Sequence, residues 1–298
     1  MTYSPMRGVA ELQSGKSHRD ENSPVASFLI APRHRPPVLA FYKFVRAADD
    51  VADSPSAAPD EKLALLEQMR ASLTGESDFV PEGVALRTVL AERGLSPLHA
   101  LDLLEAFRRD CTRLRYRDWD ELIDYCRYSA MPVGRFVLDV HGESQSLWPA
   151  NDALCAALQV INHLQDCAKD YRELNRVYIP EPLLAAAGIG VEALAEDKAN
   201  PALAGVISGL ARSNAMLLET SRPFAHGIKD GRLALEVDLI QTLADDLNRL
   251  LMNRDPLSQA VHHSKMDVAA LFLKRFPAFA LMRLTRQRSS QRLSKRSP

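Results

Sequence analysis

The sequence predicts an all-α protein, and three observations support this prediction. Apolar residues recur at spacings of three and four along most of the chain, which is the period of one helix face. The breaks between these stretches are rich in Gly, Pro and Ser, and no segment shows the alternation of a half-buried strand. Neither an internal repeat nor a long linker divides the chain, so we expect residues 1–275 to form a single domain.

The first predicted helix spans residues 38–52, where Val38, Phe41, Val45 and Ala48 share one face. Pro37 comes immediately before it, and proline is well tolerated at the start of a helix. The Ser-Pro-Ser sequence at 54–56 then ends this helix. The same reasoning predicts further helices at 60–75, 84–93, 97–113, 118–129, 133–143, 151–171, 199–228 and 231–252.

The composition limits the class of function. The 37 Lys and Arg residues balance 38 Asp and Glu residues, so the chain lacks the basic field of a nucleic-acid-binding protein, and we expect no nucleic-acid partner. Its four cysteines are widely spaced, which favours reduced thiols over disulfides or a zinc cluster. With neither a signal-peptide pattern nor a run of about 20 apolar residues, the sequence predicts a cytoplasmic protein.

The C-terminal residues differ from the rest of the chain. From Lys274 to Pro298 there are eight Lys or Arg residues and no acid, so we expect residues 276–298 to be a disordered basic tail. Because residues 269–284 are largely apolar, weak attachment of this segment to an anionic membrane surface is the alternative.

Two stripes of oxygen-bearing side chains are the main candidate for chemistry. Asp49 and Asp53 are four residues apart and therefore share a face of the first predicted helix. In the 151–171 helix, Gln159 is followed at three- and four-residue steps by Asn162, Asp166 and Asp170. Like charges at this spacing repel each other, so the stripes predict either a bound cation or pairing with Lys and Arg from neighbouring helices.

Oxygen ligands favour Mg²⁺ over zinc, and Mg²⁺ in proteins is usually held by one or two carboxylates together with substrate phosphates. Two facing acidic stripes would therefore hold Mg²⁺ and a diphosphate. Cations that suit a diphosphate are close in sequence, since Arg46 precedes the first stripe and Arg172 and Arg176 follow the second.

Five sequence blocks in this order resemble the squalene/phytoene synthase family over about residues 20–275. They are Tyr42–Asp53, Asp110–Leu122, Tyr125–Gly134, Gln159–Asp170 and Asn175–Pro180. The resemblance implies an isoprenoid-synthase helical bundle around a central apolar cavity. It also implies an enzyme that ionises a prenyl diphosphate, with Mg²⁺ as its cofactor.

The resemblance further implies roles for individual residues. Asp49, Asp53, Asn162, Asp166 and Asp170 would bind Mg²⁺, and the first two are also counted as catalytic. The diphosphate would be held by Ser27, Arg46, Arg172, Arg176 and Tyr178. The carbocation would form against Tyr42, Tyr125 and Gln159.

Within the family, the chain resembles the bacterial hydroxysqualene synthases of the hopanoid pathway. Gln165 is one reason, because phytoene and presqualene diphosphate synthases usually have Arg at this position. The resemblance implies presqualene diphosphate as substrate, hydroxysqualene as product, no use of NADPH, and other enzymes of the pathway as partners. The chain departs from the subgroup at Asn175, where Gly is usual, and at His163 and Leu164, where aromatic residues are typical.

Three alternatives stay open. A presqualene diphosphate or phytoene synthase would condense two prenyl diphosphates with the same acidic stripes. A reductive squalene synthase would need NADPH. A non-catalytic relative would act as an assembly or binding protein, but such a protein would be expected to lose its aspartates, and Asp49, Asp53, Asp166 and Asp170 are all present.

Overall fold

The computed structural model describes residues 8–9, 30–264, 266–268, 270–271 and 273–274. Ser27 and the basic tail at 276–298 lie outside the described residues, and the extent of the single domain stays a prediction. The α-helices whose two ends both lie within the described ranges are α1 Arg35–Asp53, α2 Pro59–Thr74, α3 Pro81–Arg93, α4 Leu98–Asp110, α5 Trp119–Ser129, α6 Met131–Val140, α7 Trp148–Gln165, α8 Cys167–Leu174, α9 Glu181–Ala186, α10 Pro201–Ser221, α11 Phe224–Gly227 and α12 Gly231–Leu251.

The predicted all-α fold is confirmed, because the described residues form helices and one isolated bridge. That bridge joins Arg115 to Val177 in parallel, and the Val177 amide donates to the Leu114 carbonyl at 2.9 Å. It holds the segment after α4 beside the segment after α8. No helix of the described residues is long and apolar enough to cross a membrane.

The core consists of two hydrophobic clusters. One is formed mainly by α1–α4 and includes Phe44, Leu65 and Met69, each almost completely buried. The other extends from α5 to α12, with α7 packed against α6, α10 and α12. Helix α6 contributes to both, since Phe136 belongs to the first cluster and Leu138 to the second. The two clusters therefore meet along α1 and α6.

Two predicted helices are divided in the structure. The 151–171 helix breaks at Asp166, whose φ of −99° and ψ of 8° leave the helical range, so α7 ends and α8 begins there. The 199–228 helix is interrupted before α11 at Pro223, where no backbone N–H is available to continue α10. Helix α9 and a 3₁₀ turn at Val191–Ala195 were not predicted, because both are too short to show a period.

Candidate active site

The last two turns of α1 carry the first acidic stripe. Arg46 donates to Asp49 at 2.9 Å and to Asp50 at 2.7 Å. About a third of the Asp49 side chain is exposed. Burial of the carboxyl group and repulsion from Asp53 nevertheless raise the pKa of Asp49 to about 7. Repulsion from Asp53 therefore outweighs the attraction of Arg46 at this carboxyl group.

Arg176 lies at the C-terminal end of α1, although the two are far apart in sequence. Its buried guanidinium donates to Asp53 Oδ1 at 2.5 Å and to the Ala52 carbonyl at 3.1 Å. Lys62 Nζ donates to the same carbonyl at 2.9 Å. Two cations thus converge where the helix dipole is negative, which favours them. Burial alone would lower the pKa of Arg176, but Asp110 and Asp53 more than reverse that effect.

The second acidic stripe continues across the break between α7 and α8. Asn162 is exposed, and Asp166 and Asp170 are half-buried. Burial, the neighbouring Asp166 and Asp53 on α1 together raise the pKa of Asp170 to about 7, although Arg176 opposes the rise. The two stripes are therefore close enough for their charges to interact, with Arg176 between them.

A cluster of aromatic rings surrounds the buried carboxyl group of Asp110. Tyr125 donates its hydroxyl to Asp110 at 2.8 Å, and Tyr178 does so at 3.4 Å. Tyr116 packs against both tyrosines at ring-centroid distances of 5.5 Å. Burial raises the pKa of Asp110 to about 6. The carboxyl group thus has two hydroxyl donors and, through its charge, also stabilises the nearby Arg176.

His163 links this cluster to the second acidic stripe. Its ring stacks on Tyr178 with centroids 3.5 Å apart, and the Gln159 amide lies 3.2 Å from its Nε2. Because the amide nitrogen donates, Nε2 accepts and the ring proton is on Nδ1. Burial lowers the pKa of His163 to about 3, so the imidazole is neutral near pH 7. A neutral ring can stack beside Arg176 without adding positive charge.

An apolar cavity of approximately 350 Å³ lies where the two hydrophobic clusters meet. Phe41 and Phe136 stack in its wall with centroids 3.9 Å apart. Other lining residues come from α1, α6, α7 and α12, among them Tyr42, Val45, Leu154, Leu158 and Val237. Along α1 and α7, these apolar positions are followed within about a turn by the acidic stripes. An elongated apolar ligand with an anionic end fits this arrangement.

The carboxylates of the two acidic stripes suit divalent metal ions whose remaining coordination positions are filled by a bound ligand. Within the described ranges, no three of these aspartates bring their oxygen atoms close enough together to enclose an ion by themselves. Burial is the main cause of the raised pKa of Asp49 and Asp170, and at each carboxyl group a neighbouring aspartate raises the pKa more than the nearby arginine lowers it. Mg²⁺ is typically bound in such a setting, by a few carboxylates together with phosphate oxygens.

The structure brings together most of the predicted site residues but separates one. The Arg172 guanidinium donates to the carbonyl groups of Ala195 and Glu196, both at 2.8 Å. It therefore holds the end of the 3₁₀ turn at Val191–Ala195, and the role of Arg172 as a diphosphate ligand stays a prediction. Sequence reasoning also missed roles for Asp110 and Lys62, because each is a single charged residue without a repeating pattern.

Comparison with known proteins agrees with this geometry. The family profile described as squalene/phytoene synthase matches residues 16–267. The chain belongs to this family. The predicted family, and with it an enzyme of this family, is confirmed.

Relatives in three bacteria carry the name hydroxysqualene synthase. The protein of Rhodopseudomonas palustris is 60% identical over 257 residues, which cover 86% of this chain and 88% of the relative. That of Zymomonas mobilis is 55% identical over 265 residues, covering 88% and 89%. That of Sinorhizobium fredii is 52% identical over 256 residues, covering 86% and 88%.

Solved structures show the same fold. Squalene synthase HpnC from Alicyclobacillus acidocaldarius aligns with a TM-score of 0.67 at 30% identity and covers 82% of this chain and 90% of its own. A dehydrosqualene synthase in complex with a ligand aligns with a TM-score of 0.72 over 91% of this chain and 96% of the dehydrosqualene synthase chain. Because the two sequences are only 21% identical, this alignment supports the fold alone.

Proposed function

We propose that this enzyme converts presqualene diphosphate and water to hydroxysqualene and diphosphate, with Mg²⁺ as cofactor. The observation that carries the proposal is the pair of interacting acidic stripes beside an apolar cavity. The names of the bacterial relatives select this reaction among those of the family. We place the reaction in the cytoplasm and in hopanoid biosynthesis, with other enzymes of that pathway as the source and destination of its ligands.

The positively charged residues bind the leaving group in this mechanism. Arg176 and Lys62 lie at the C-terminal end of α1, and Arg46 lies two turns earlier on the same helix. The Arg176 guanidinium is already held in position by its hydrogen bonds to Asp53 and the Ala52 carbonyl, and it offers paired N–H donors to phosphate oxygens. Charge that develops on the departing oxygen is therefore stabilised by donors whose positions are set before the reaction.

Asp49 and Asp53 on one side, and Asn162, Asp166 and Asp170 on the other, would hold the Mg²⁺ ions. When bound, Mg²⁺ supplies charge neutralisation that makes diphosphate a better leaving group. Exclusion of bulk water is the task of the apolar cavity wall, including Phe41 and Phe136. The tyrosine rings around Asp110 offer π faces that attract a cation near Arg176.

The direct test is incubation of the purified protein with Mg²⁺ and presqualene diphosphate, without NADPH, followed by mass spectrometry of the products. Hydroxysqualene and diphosphate are the expected products. A parallel incubation with farnesyl diphosphate distinguishes a condensing enzyme, which would form presqualene diphosphate. Absence of turnover with both substrates would favour a non-catalytic protein and contradict the proposal.

Substitution of one carboxylate in each stripe tests the mechanism. We expect Asp49→Asn and Asp166→Asn each to lower turnover at least about 100-fold, because each removes a charge from a different side of the metal site. Asp197→Asn is the matched control, since Asp197 is fully exposed on a loop. Circular dichroism should report an unchanged helix content in all three variants. Normal turnover in both stripe variants would overturn the assignment.

A further inference from the structure

A second group of side chains that could bind a metal ion is separate from the two acidic stripes. It lies where three elements meet. His34 ends a 3₁₀ turn before α1, His141 follows α6, and Asp230 caps the N-terminus of α12. One ligand atom from each residue lies within 4.8 Å of the others. In the part of the chain that the structure describes, this is the one trio of His, Cys, Asp or Glu with such proximity.

Two members of the trio are already oriented as metal ligands usually are. His141 places its Nδ1 2.8 Å from the Val137 carbonyl, so Nδ1 carries the proton and Nε2 keeps its lone pair. The Asp230 Oδ1 atom accepts from the backbone amides of Arg232 and Leu233. Hydrogen bonds of this kind fix the tautomer of a ligating imidazole and the orientation of a ligating carboxylate.

The third member has a buried nitrogen atom without a hydrogen-bond partner. His34 is only 7% exposed, and its Nδ1 is completely buried and unpartnered. Its ring centroid lies 4.2 Å from that of His141. Two imidazoles at this distance repel when both are charged, and burial together with His141 lowers the pKa of His34. The buried Nδ1 atom of His34 therefore lies beside the His141 ring with no protein group among the described residues to satisfy it.

We propose that His34, His141 and Asp230 bind one Zn²⁺-like transition-metal ion at a site separate from the Mg²⁺ carboxylates. Imidazole nitrogen atoms favour zinc and its neighbours, whereas the acidic stripes offer only oxygen ligands. Three protein ligands leave a fourth position for water. This proposal does not depend on the proposed reaction, so each of the two can be tested without the other.

The position of the ion gives it a structural role at one end of the apolar cavity. Each ligand-bearing element also contributes to the cavity wall, through Val38 on α1, Val137 on α6 and Leu233 on α12. Glu143 already holds the segment that leads into α12, because its carboxylate accepts hydrogen bonds from the amides of Lys229 and Asp230. A bound ion would join the three elements at a single point and hold the cavity wall in place.

Arg33 competes with the ion for His34. Its Nε donates to His34 Nε2 at 2.9 Å. If the ion takes Nε2, Arg33 must leave that nitrogen. If the ion takes Nδ1, the ring proton moves to Nε2, which can then no longer accept from Arg33. The Arg33 residue is exposed and can turn away in either case. Removal of its side chain should therefore tighten metal binding.

The test measures metal binding directly, by titration of chelator-treated full-length protein with ZnCl₂ in a calorimeter and by elemental analysis after dialysis. We expect one Zn²⁺ per chain, a higher melting temperature with Zn²⁺, and visible d–d absorption when Co²⁺ replaces it. His141→Gln and Asp230→Asn should each weaken binding at least about tenfold. Asn still caps a helix, so Asp230→Asn removes the charge while α12 keeps its cap.

Two control variants and one further test variant sharpen the result. His226→Gln, which alters an exposed imidazole outside the trio, should leave the zinc affinity unchanged. Asp49→Asn should also bind zinc normally, which separates this site from the acidic stripes. Arg33→Ala should tighten binding roughly two- to fivefold. The proposal is overturned if wild-type protein binds no zinc, if the two ligand variants bind it normally, or if Arg33→Ala weakens binding.

Discussion

At the residue scale, Arg176 organises the charges of the candidate active site. It donates to Asp53 and to the last turn of α1, and its charge acts on Asp110, Asp170 and His163. For Asp110 and Asp170 it lowers a pKa that burial raises, and for His163 it helps to keep the ring neutral. Three ionisable groups thus depend on one guanidinium.

The raised pKa of Asp49 predicts a pH-dependent stability in metal-free protein. This pKa is about 7 in the folded state and 3.8 for an ordinary aspartate. The folded protein therefore holds the proton more tightly than the unfolded chain, and stability is lost as the pH rises from about 4 to 7. Asparagine resembles the protonated acid. As the pH rises from 5 to 8, the melting temperature of Asp49→Asn should therefore increase relative to that of the wild-type protein.

The measurement is thermal unfolding of both proteins in chelator at several pH values. Asp197→Asn serves as the control, because the fully exposed Asp197 should give a difference that does not change with pH. A wild-type to Asp49→Asn difference that stays constant, or that shrinks between pH 5 and 8, would show that Asp49 is an ordinary surface carboxylate.

At the element scale, α6 and α7 are in close contact at Gly134. A Cβ atom at this position would lie 2.0 Å from Asn151 Oδ1 and 2.7 Å from Cys155 Sγ on α7. A side chain at this position must displace the Asn151 and Cys155 side chains or separate the helices. All three residues also line the cavity, so the spacing of these helices partly sets its width.

We therefore expect Gly134→Ala to lower the free energy of unfolding by about 1–3 kcal/mol, the usual cost of overpacking. Urea denaturation measures this change. Gly205→Ala is the matched control, because nothing lies within 4 Å of its added Cβ and residue 205 is exposed in α10. That variant should gain about 0.5–1 kcal/mol from its higher helix propensity. Equal effects of the two substitutions would contradict a close helix contact at Gly134.

The sequence predicted the two acidic stripes but not the helix break within the second one. The spacing of Asp49 and Asp53, and of Asn162, Asp166 and Asp170, is enough to place each stripe on one face. Periodicity did not reveal the break at Asp166, because the polar stripe continues through it with unchanged spacing.

Arg172 and Arg176 seemed equivalent in sequence, since both follow Asp170 closely. Within α8, Arg172 is two residues after Asp170 and so projects from a different face. Arg176 lies beyond α8, after Asn175 has turned the chain with a positive φ of 52°. Arg115 holds this turn by donating to the Asn175 side chain at 2.7 Å. Such long-range contacts have no signature in a single sequence.

At the scale of the whole molecule, the acidic stripes and the cavity belong to elements from both hydrophobic clusters. Helix α1 contributes the first stripe, and α7 with α8 contributes the second. A ligand that bridges them should therefore stabilise the entire fold.

We expect the melting temperature to rise when Mg²⁺ and farnesyl diphosphate are added together, and to change little with either alone. A ligand at 100 times its Kd stabilises by about 2.7 kcal/mol. Inorganic diphosphate with Mg²⁺ should give a smaller rise, because it leaves the apolar cavity empty. Asp53→Asn should reduce both effects. Equal stabilisation by the two ligands would argue against a prenyl site in the cavity.

The meeting of two hydrophobic clusters at a cavity also bears on how long the protein survives. Without an apolar ligand, the contact between the clusters is interrupted by approximately 350 Å³ of space, so local opening along α1 and α6 costs less than opening within either cluster. Proteases act on such opened states. A ligand that fills the space would slow degradation as well as raise stability. The cellular amount of the protein would then follow the supply of its own ligand.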